Sequence, residues 1–264
     1  MDNNQVTNKA PSLSYLLLEG RMIIEWASSC ALYPLIPKQV EGEGRPVLIF
    51  PPFLGNDVST TFLRKHLNNQ GFEAYKWDVG VNFVRDNYLP QLVEKLNQIY
   101  EKHGQKVALI GWSAGGIFAR VLANLFPEMT EQVITIATPF KGIRSGKTNV
   151  DTLFEIFNGK KKSQTKKELL DLIEKTPDTP VTCLYSTTDG IVQWEHCYEE
   201  VVRADVNNIE VFGSHGGLGA NPSVMIYVAQ ALGSKSERPA KNMLPGGIAN
   251  VLYPQFWKLD KKRV

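Results

Sequence analysis

The sequence is poor in cysteine and histidine and has no marked excess of charge of either sign. Its 264 residues include three cysteines and four histidines, and 29 basic residues stand against 27 acidic ones. This near balance argues against a nucleic-acid-binding protein, which would present a strongly basic surface. Cys30, Cys183 and Cys197 cannot all pair and show no CxxC spacing. We therefore expect no metal centre, no cofactor and a reduced, cytoplasmic compartment.

Long uninterrupted hydrophobic runs are also lacking. The first five residues have no basic region of the kind that opens a signal peptide. The apolar stretch nearest to them is interrupted by Glu19, Arg21 and Glu25. Each of these charges would cost about 2.5–3.5 kcal/mol near the centre of a bilayer. We interpret residues 11–36 as an amphipathic helical extension that docks on the body of the protein, with peripheral contact to a membrane surface as the alternative.

Short apolar runs that alternate with helical patterns predict the fold class. Six runs are typical of buried strands, at residues 46–50, 72–78, 106–111, 132–137, 181–186 and 208–212. Helical patterns occupy residues 57–69, 87–103, 114–126 and 222–232, the first with Asp57 as its predicted N-cap. Because strands separated by helices form βαβ units, we expect an α/β fold with a mainly parallel sheet and helices on both faces. No linker divides the chain, so residues 1–264 are predicted to form a single domain.

One segment, from Phe140 to Pro180, contains no strand pattern. It holds two short helical patterns, at residues 150–157 and 166–174, and resembles an insertion over one end of the sheet. The lysines in this segment (Lys160, Lys161, Lys162, Lys166 and Lys167) are interpreted as a solvated face. Attraction to an anionic lipid surface or an acidic substrate is the alternative.

The strongest chemical signal is the pentapeptide Gly111-Trp112-Ser113-Ala114-Gly115, which lies where a strand ends and a helix begins. A nucleophilic serine in such a turn has a strained backbone that pushes its hydroxyl out above the sheet. Residues two positions to either side must then lack side chains, and Gly111 and Gly115 meet that requirement. The sequence therefore predicts Ser113 as a nucleophile, against the alternative of a tight turn without chemistry.

A serine hydroxyl needs a base, and only His215 is well placed among the four histidines. His66 and His103 fall within predicted helices, and His196 follows Trp194-Glu195 in a third. His215 lies two residues after a strand on a glycine-rich loop, where it can reach the same sheet edge as the serine.

The third member of a triad is a carboxylate that orients the imidazole. Asp189 follows the fifth predicted strand and gives the order serine, acid, histidine that is usual for this arrangement. Asp78 is the weaker alternative because it precedes Ser113 in the chain.

Two backbone N–H groups are expected to stabilise an oxyanion. One is that of Ala114, directly after the serine. The second should come from the loop after the first strand, where Pro51 and Pro52 have no N–H to donate. Phe53 is therefore the predicted donor, and Leu54 the next choice.

Large apolar side chains lie in or beside these site segments. Leu54, Trp112 and Trp194 are predicted to contact substrate, together with Phe53. Aromatic and apolar walls favour an ester with an apolar acyl or aryl group over a highly charged substrate. Packing beneath the loops is the alternative interpretation for each residue.

Residues 45–233 resemble the α/β-hydrolase-fold serine esterases and lipases. Gly111 to Gly116 is similar to the GWSxGG elbow of many uncharacterised bacterial members, and residues 186–192 and 214–219 resemble the acid and histidine segments of that group. The resemblance implies a small helical cap at about residues 142–179. It also maps the second oxyanion donor onto Phe53, although this chain has prolines where the lipases have His-Gly.

The residues and the resemblance together predict a metal-independent serine carboxylester hydrolase that acts on a small-molecule or lipid ester, with Ser113, Asp189 and His215 as its triad. Hydrolysis at a lipid interface and acyl transfer are the enzymatic alternatives. A non-catalytic binder of a hydrophobic ligand is an alternative from a different class.

Overall fold

The structure of the protein, a computed structural model, describes residues 13–36, 38–141 and 164–233. Within them, six strands form one sheet: β1 (Pro46–Phe50), β2 (Glu73–Tyr75), β3 (Val107–Trp112), β4 (Thr130–Ile136), β5 (Val181–Tyr185) and β6 (Val206–Glu210). Their order is β2-β1-β3-β4-β5-β6, and each neighbouring pair is parallel. The predicted fold class, a parallel sheet with helices, is confirmed.

Seven α-helices lie in the described residues: α1 (Leu13–Leu18), α2 (Met22–Leu32), α3 (Thr61–Asn69), α4 (Leu89–His103), α5 (Gly115–Leu125), α6 (Gln164–Glu174) and α7 (Pro222–Gly233). Short 3₁₀ turns occupy Glu19–Arg21, Tyr33–Leu35, Asp86–Tyr88 and Trp194–His196. The predicted extension at residues 11–36 is thus two helices joined by a turn, and its first two residues lie outside the described residues. The predicted cap helix at residues 150–157 also lies outside them.

Alternate residues of the central strands supply the cores on the two faces of the sheet. Val47 and Ile49 pack on the face covered by α3 and α7, whereas Leu48 and Phe50 pack on the face covered by α4 and α5. Every residue of β1 and β3 is buried. This two-sided burial explains why both strands read as continuous apolar runs.

The predicted helix start at Asp57 is wrong, because α3 begins at Thr61 and no side chain caps it. The Asp57 carboxylate instead accepts a hydrogen bond from the N–H of Trp77 at 3.1 Å. Its role is therefore to join the loop after β1 to the segment after β2.

Helix α6 is held to α5 by the buried Arg120. The guanidinium donates to the Glu199 carboxylate at 2.6 Å and to the carbonyl of Ile173 at 2.7 Å, and it stacks 3.7 Å from the centre of the Phe140 ring. Arg120 is fully buried and Glu199 is 5% exposed. The bond to Ile173 fixes α6 beside the helix that follows Ser113, and the Glu199 carboxylate balances the buried charge of Arg120.

Candidate active site

Ser113 occupies a strained turn between β3 and α5. Its φ is +52°, in the left-handed region that residues with a Cβ rarely adopt. A Cβ on Gly111 would lie 2.2 Å from the Cα of Gly116, and one on Gly115 would lie 2.3 Å from the carbonyl oxygen of Phe50. Only glycine fits at either position, as the sequence predicts. The turn places the serine hydroxyl at the carboxyl edge of the sheet.

The structure brings the three predicted triad residues together at this edge. His215 Nε2 lies 2.8 Å from Ser113 Oγ, and His215 Nδ1 lies 2.6 Å from Asp189 Oδ2. All three residues are buried, with 7%, 8% and 4% exposure for the serine, the histidine and the aspartate. The arrangement can pass a proton from the hydroxyl to the imidazole while the carboxylate holds the far side of the ring.

The Asp189 carboxylate is fixed in one orientation. Its Oδ1 accepts the N–H groups of Ile191 at 2.8 Å and Val192 at 2.9 Å, which leaves Oδ2 for the imidazole. Burial lowers the pKa of His215, but the Asp189 carboxylate raises it by charge and by hydrogen bonding, and Glu19 adds to this. The net result is a pKa above the ordinary value, as suits a group that must accept a proton.

The other candidates of the sequence lie elsewhere. Asp78 pairs with Lys95. His103 contacts Glu73 and Tyr75, and His66 is buried within α3. Of the two aspartates, Asp189 is the one that contacts His215, and His215 is the histidine that contacts Ser113.

The loop after β1 is braced by Asn82, a fully buried residue that sequence reasoning missed. Its side chain donates to the carbonyl of Pro51 at 2.7 Å, and its backbone exchanges hydrogen bonds with Leu54 and Gly55. The Leu54 N–H is therefore already occupied by the Asn82 carbonyl at 2.8 Å. Of the two predicted donors in this loop, Phe53 remains the candidate.

A cavity of about 590 Å³ opens beside Ser113 and His215. Its walls are mainly apolar and include Phe53, Ala114, Trp112, Ile191, Met22, Ile23 and Trp26. This volume and lining are typical of a small-molecule site. Of the predicted substrate contacts, Trp112 lines the cavity, whereas Leu54 and Trp194 do not. Leu54 is 60% exposed, and Trp194 stacks on Tyr185 and Tyr198.

The N-terminal helices dock on the site with their charged side chains. Glu19, Arg21 and Glu25 all hydrogen bond to the loops that carry Asp189 and His215. Sequence reasoning predicted the docking but treated these charges as interruptions of an apolar stretch. Their signal in the sequence is the i, i+4 spacing of Arg21 and Glu25, which places both on one helical face.

The outer side of these helices is apolar and exposed. Leu17, Ile23 and Ile24 are 83%, 72% and 72% exposed, and Leu16, Leu18 and Met22 are exposed as well. Met22 and Ile23 also line the cavity, so the exposed apolar surface continues to the mouth of the site.

Among the described residues, no group of three or more His, Cys, Asp or Glu side chains is arranged to hold a metal ion. None of the helices in the described ranges has the length and apolar character needed to cross a membrane.

The model of the PGAP1-like alpha/beta domain matches residues 78–217, more than half of the chain. The chain belongs to this family. Ser113, Asp189 and His215 all lie within the PGAP1-like domain, whereas α1, α2, β1, α3 and β2 precede it. No curated protein matches the chain in sequence.

Solved structures with the same architecture include three lipases or esterases. Aspergillus fumigatus lipase B is 18% identical with a TM-score of 0.58, over 79% of this chain and 58% of that one. An esterase of Pyrococcus furiosus is 12% identical with a TM-score of 0.55, over 72% and 83% of the two chains. A lipase of Bacillus licheniformis is 18% identical with a TM-score of 0.51, over 74% and 94%. The chain thus spans little more than half the length of the Aspergillus lipase. These likenesses show that this PGAP1-like protein has the α/β-hydrolase fold.

Proposed function

We propose that the protein is a serine carboxylester hydrolase with Ser113 as nucleophile, His215 as general base and acid, and Asp189 as the residue that orients the imidazole. The observation that carries the proposal is the hydrogen-bonded chain from Ser113 Oγ through His215 to Asp189 at the wall of an apolar cavity. Lipases and esterases among the structures of the same fold support this reaction class.

The reaction proceeds in two halves. Ser113 Oγ attacks the ester carbonyl while His215 Nε2 accepts the hydroxyl proton, and the imidazolium then protonates the departing alcohol. A water molecule next gives a proton to His215 and attacks the acyl-enzyme, and the imidazolium returns that proton to Ser113 Oγ as the acid is released. We assign the N–H groups of Ala114 and Phe53 to the oxyanion of both tetrahedral intermediates. No hydrogen bond among the described residues uses the Ala114 N–H as donor, so it is available for that role.

The cavity favours a substrate with an apolar acyl or aryl group. Its lining is built largely from aromatic and aliphatic side chains, and Ser113 and His215 are among its few polar members. A charged substrate portion placed there would lose hydration without gaining a partner.

The proposal is tested with a fluorophosphonate probe and a short-chain p-nitrophenyl ester. Wild-type protein should be labelled at Ser113 and should hydrolyse the ester, and Ser113→Ala should lose both properties. Ser28→Ala is the matched control, because its hydroxyl bonds only within its own helix. Retention of hydrolysis by purified Ser113→Ala protein would refute the assignment. An unlabelled wild type would instead favour a non-catalytic binder.

A second candidate is hydrolysis of lipid esters at a membrane or droplet surface. The specific observation is the exposed apolar side of α1 and α2, which reaches the cavity through Met22 and Ile23. Burying such a surface in lipid releases about 25 cal/mol for each Å² of apolar area. Activity on a water-insoluble ester should then rise above its solubility limit and fall in the double variant Leu17→Ser, Ile24→Ser, while hydrolysis of a soluble ester stays unchanged. Equal effects on both substrates would count against this candidate.

A further inference from the structure

We propose that Glu19 is a positioning residue that joins the loop of Asp189 (the acid loop) to the loop of His215 (the histidine loop). The N-terminal helices are then part of the catalytic apparatus. This inference rests on the proposed function of Ser113, Asp189 and His215. It concerns a segment that lies outside the residues matched by the PGAP1-like family.

The contacts of Glu19 carry the argument. Its Oε1 accepts the N–H of Gly190 at 2.9 Å and the N–H of His215 at 2.8 Å. Its Oε2 lies 3.3 Å from the N–H of Gly216. Gly190 directly follows Asp189, so one carboxylate joins the backbone next to the acid to the backbone of the base itself. The separation between acid and base is thereby fixed from outside the triad.

Glu25 and Arg21 bind the same two loops at the residues just before His215 and Asp189. The Glu25 carboxylate accepts the N–H of Ser214 at 3.1 Å and also its hydroxyl proton. Arg21 donates to Glu25 at 3.0 Å and to the carbonyl of Thr188 at 2.9 Å. Thr188 and Ser214 immediately precede the acid and the base. The three charged side chains therefore satisfy backbone groups on both sides of each catalytic residue.

The loops are shaped to receive the helices. A Cβ on Gly190 would lie 2.3 Å from the carbonyl oxygen of Tyr15, and one on Gly217 would lie 1.5 Å from Glu25 Oε2. A Cβ on Gly216 would lie 2.2 Å from the sulfur of Met22. Glycines in the acid and histidine loops thus coincide with the positions where the N-terminal helices approach. The requirement is strictest at Gly190, where the neighbouring atoms belong to the backbone of Tyr15, whereas the ends of the Met22 and Glu25 side chains can shift.

Glu19 also acts on His215 through its charge. The charged groups around the imidazole are Asp189 on the acid loop and Glu19, Glu25 and Arg21 on the N-terminal helices. Burial lowers the pKa of His215, and Asp189 and then Glu19 raise it. Removing the negative charge of Glu19 while keeping one oxygen on the N–H groups of Gly190 and His215 should therefore lower the pKa of the base, with loss only of the longer 3.3 Å contact to Gly216. Glu19→Gln makes this change.

The N-terminal helices have a second attachment that does not depend on Glu19. Trp26 packs edge-on against Phe62 at 5.5 Å between ring centres, and Tyr33 does so at 6.0 Å. The Trp26 indole also donates to the carbonyl of Gly216 at 2.9 Å. Substitutions at Glu19 should therefore leave the helices docked, and their effect can be assigned to the lost contacts.

The experiment measures kcat/KM for a soluble p-nitrophenyl ester from pH 5 to pH 9, with the rate of fluorophosphonate labelling and the melting temperature. Glu19→Ala should lower kcat/KM by about 10²-fold, the loss typical of a misplaced catalytic group. Glu19→Gln should keep most of the wild-type activity at pH 8, and its acidic limb should move to lower pH. Glu41→Ala is the control, because Glu41 is an exposed glutamate that pairs only with Lys38.

Two results would overturn the inference: Glu19→Ala activity within about threefold of wild type, or a Glu19→Gln pH profile that superimposes on the wild-type profile. If Glu19→Ala fails to fold, Glu19→Gln alone decides. Failure of the proposed function would be distinct, because the wild-type protein itself would then neither label at Ser113 nor hydrolyse the ester.

Discussion

Replacing Asp189 by asparagine should invert the hydrogen bond that orients His215. In the structure, Asp189 Oδ1 accepts the N–H groups of Ile191 and Val192, and Oδ2 faces His215 Nδ1. An asparagine must keep its oxygen on the two backbone N–H groups, so its NH₂ group faces the imidazole. His215 Nδ1 then has to accept a hydrogen bond, and the ring proton moves to Nε2.

This tautomer presents an N–H to Ser113 Oγ where the proposed reaction requires a lone pair. The same substitution in the serine protease triad lowers kcat by about 10⁴-fold through the wrong tautomer. At 1.36 kcal/mol for each factor of ten, that loss corresponds to about 5.5 kcal/mol of transition-state stabilisation. We expect a loss of the same order here, because turning the amide over would set its NH₂ group against the N–H groups of Ile191 and Val192.

The assay is steady-state hydrolysis of a soluble p-nitrophenyl ester, with fluorophosphonate labelling as an independent measure of Ser113 reactivity. Because Asp189 does not line the cavity, KM should stay near its wild-type value while kcat falls. Asp178→Asn is the control, since Asp178 is exposed and pairs with Lys175. An Asp189→Asn enzyme that retains more than about a tenth of wild-type kcat would refute the tautomer argument.

Two further predictions concern stability. Arg120→Leu should destabilise the fold by about 3–5 kcal/mol because it strands the Glu199 carboxylate in the interior; urea unfolding measures this, and a loss below about 1 kcal/mol would contradict it. Burial lowers the pKa of His66 to about 4 from an ordinary value of 6.5. The unfolded chain therefore binds a proton first as the pH falls below 6.5, and stability should drop by about 2 kcal/mol between pH 7 and pH 5. His66→Leu should lack this component of the pH dependence, and equal slopes in the two proteins would refute it.

The sequence predicts the triad because each of its members lies in the loop that follows a parallel strand. Strands of one parallel sheet end at the same edge, so Ser113, Asp189 and His215 could be placed together without any knowledge of side-chain contacts. Strand boundaries were least accurate at the two edges of the sheet. Strand β2 covers three residues where seven were predicted, because an edge strand pairs on one side only and tertiary contacts decide where its pairing stops.

The orientation of the N-terminal helices could not be read from the sequence. Helical periodicity shows that polar and apolar side chains lie on different faces, but it does not say what each face meets. Here the loops that carry Asp189 and His215 present backbone N–H groups, including those of Gly190 and His215, to the N-terminal helices. These N–H groups bind Glu19, so the charged side faces inward.

Two of the predicted substrate contacts, Leu54 and Trp194, are near the triad along the chain but do not line the cavity. Leu54 directly follows Phe53, yet its left-handed φ of +58° accompanies a side chain that is 60% exposed. Trp194 lies five residues after Asp189, but stacking with Tyr185 and Tyr198 holds it away from the cavity. Backbone conformation therefore directs Leu54 away from the cavity, and aromatic packing does the same for Trp194. A sequence motif shows neither of these effects.

The position of the N-terminal helices affects where a fragment of this protein can be cut for expression. A fragment trimmed to the borders of the PGAP1-like match would still contain all three triad residues, yet it would lack the two helices that grip the acid and histidine loops and the first strand of the sheet. It would also lack Phe53. Such a fragment would contain the three residues of the proposed triad but not the carboxylate that joins the loops of Asp189 and His215.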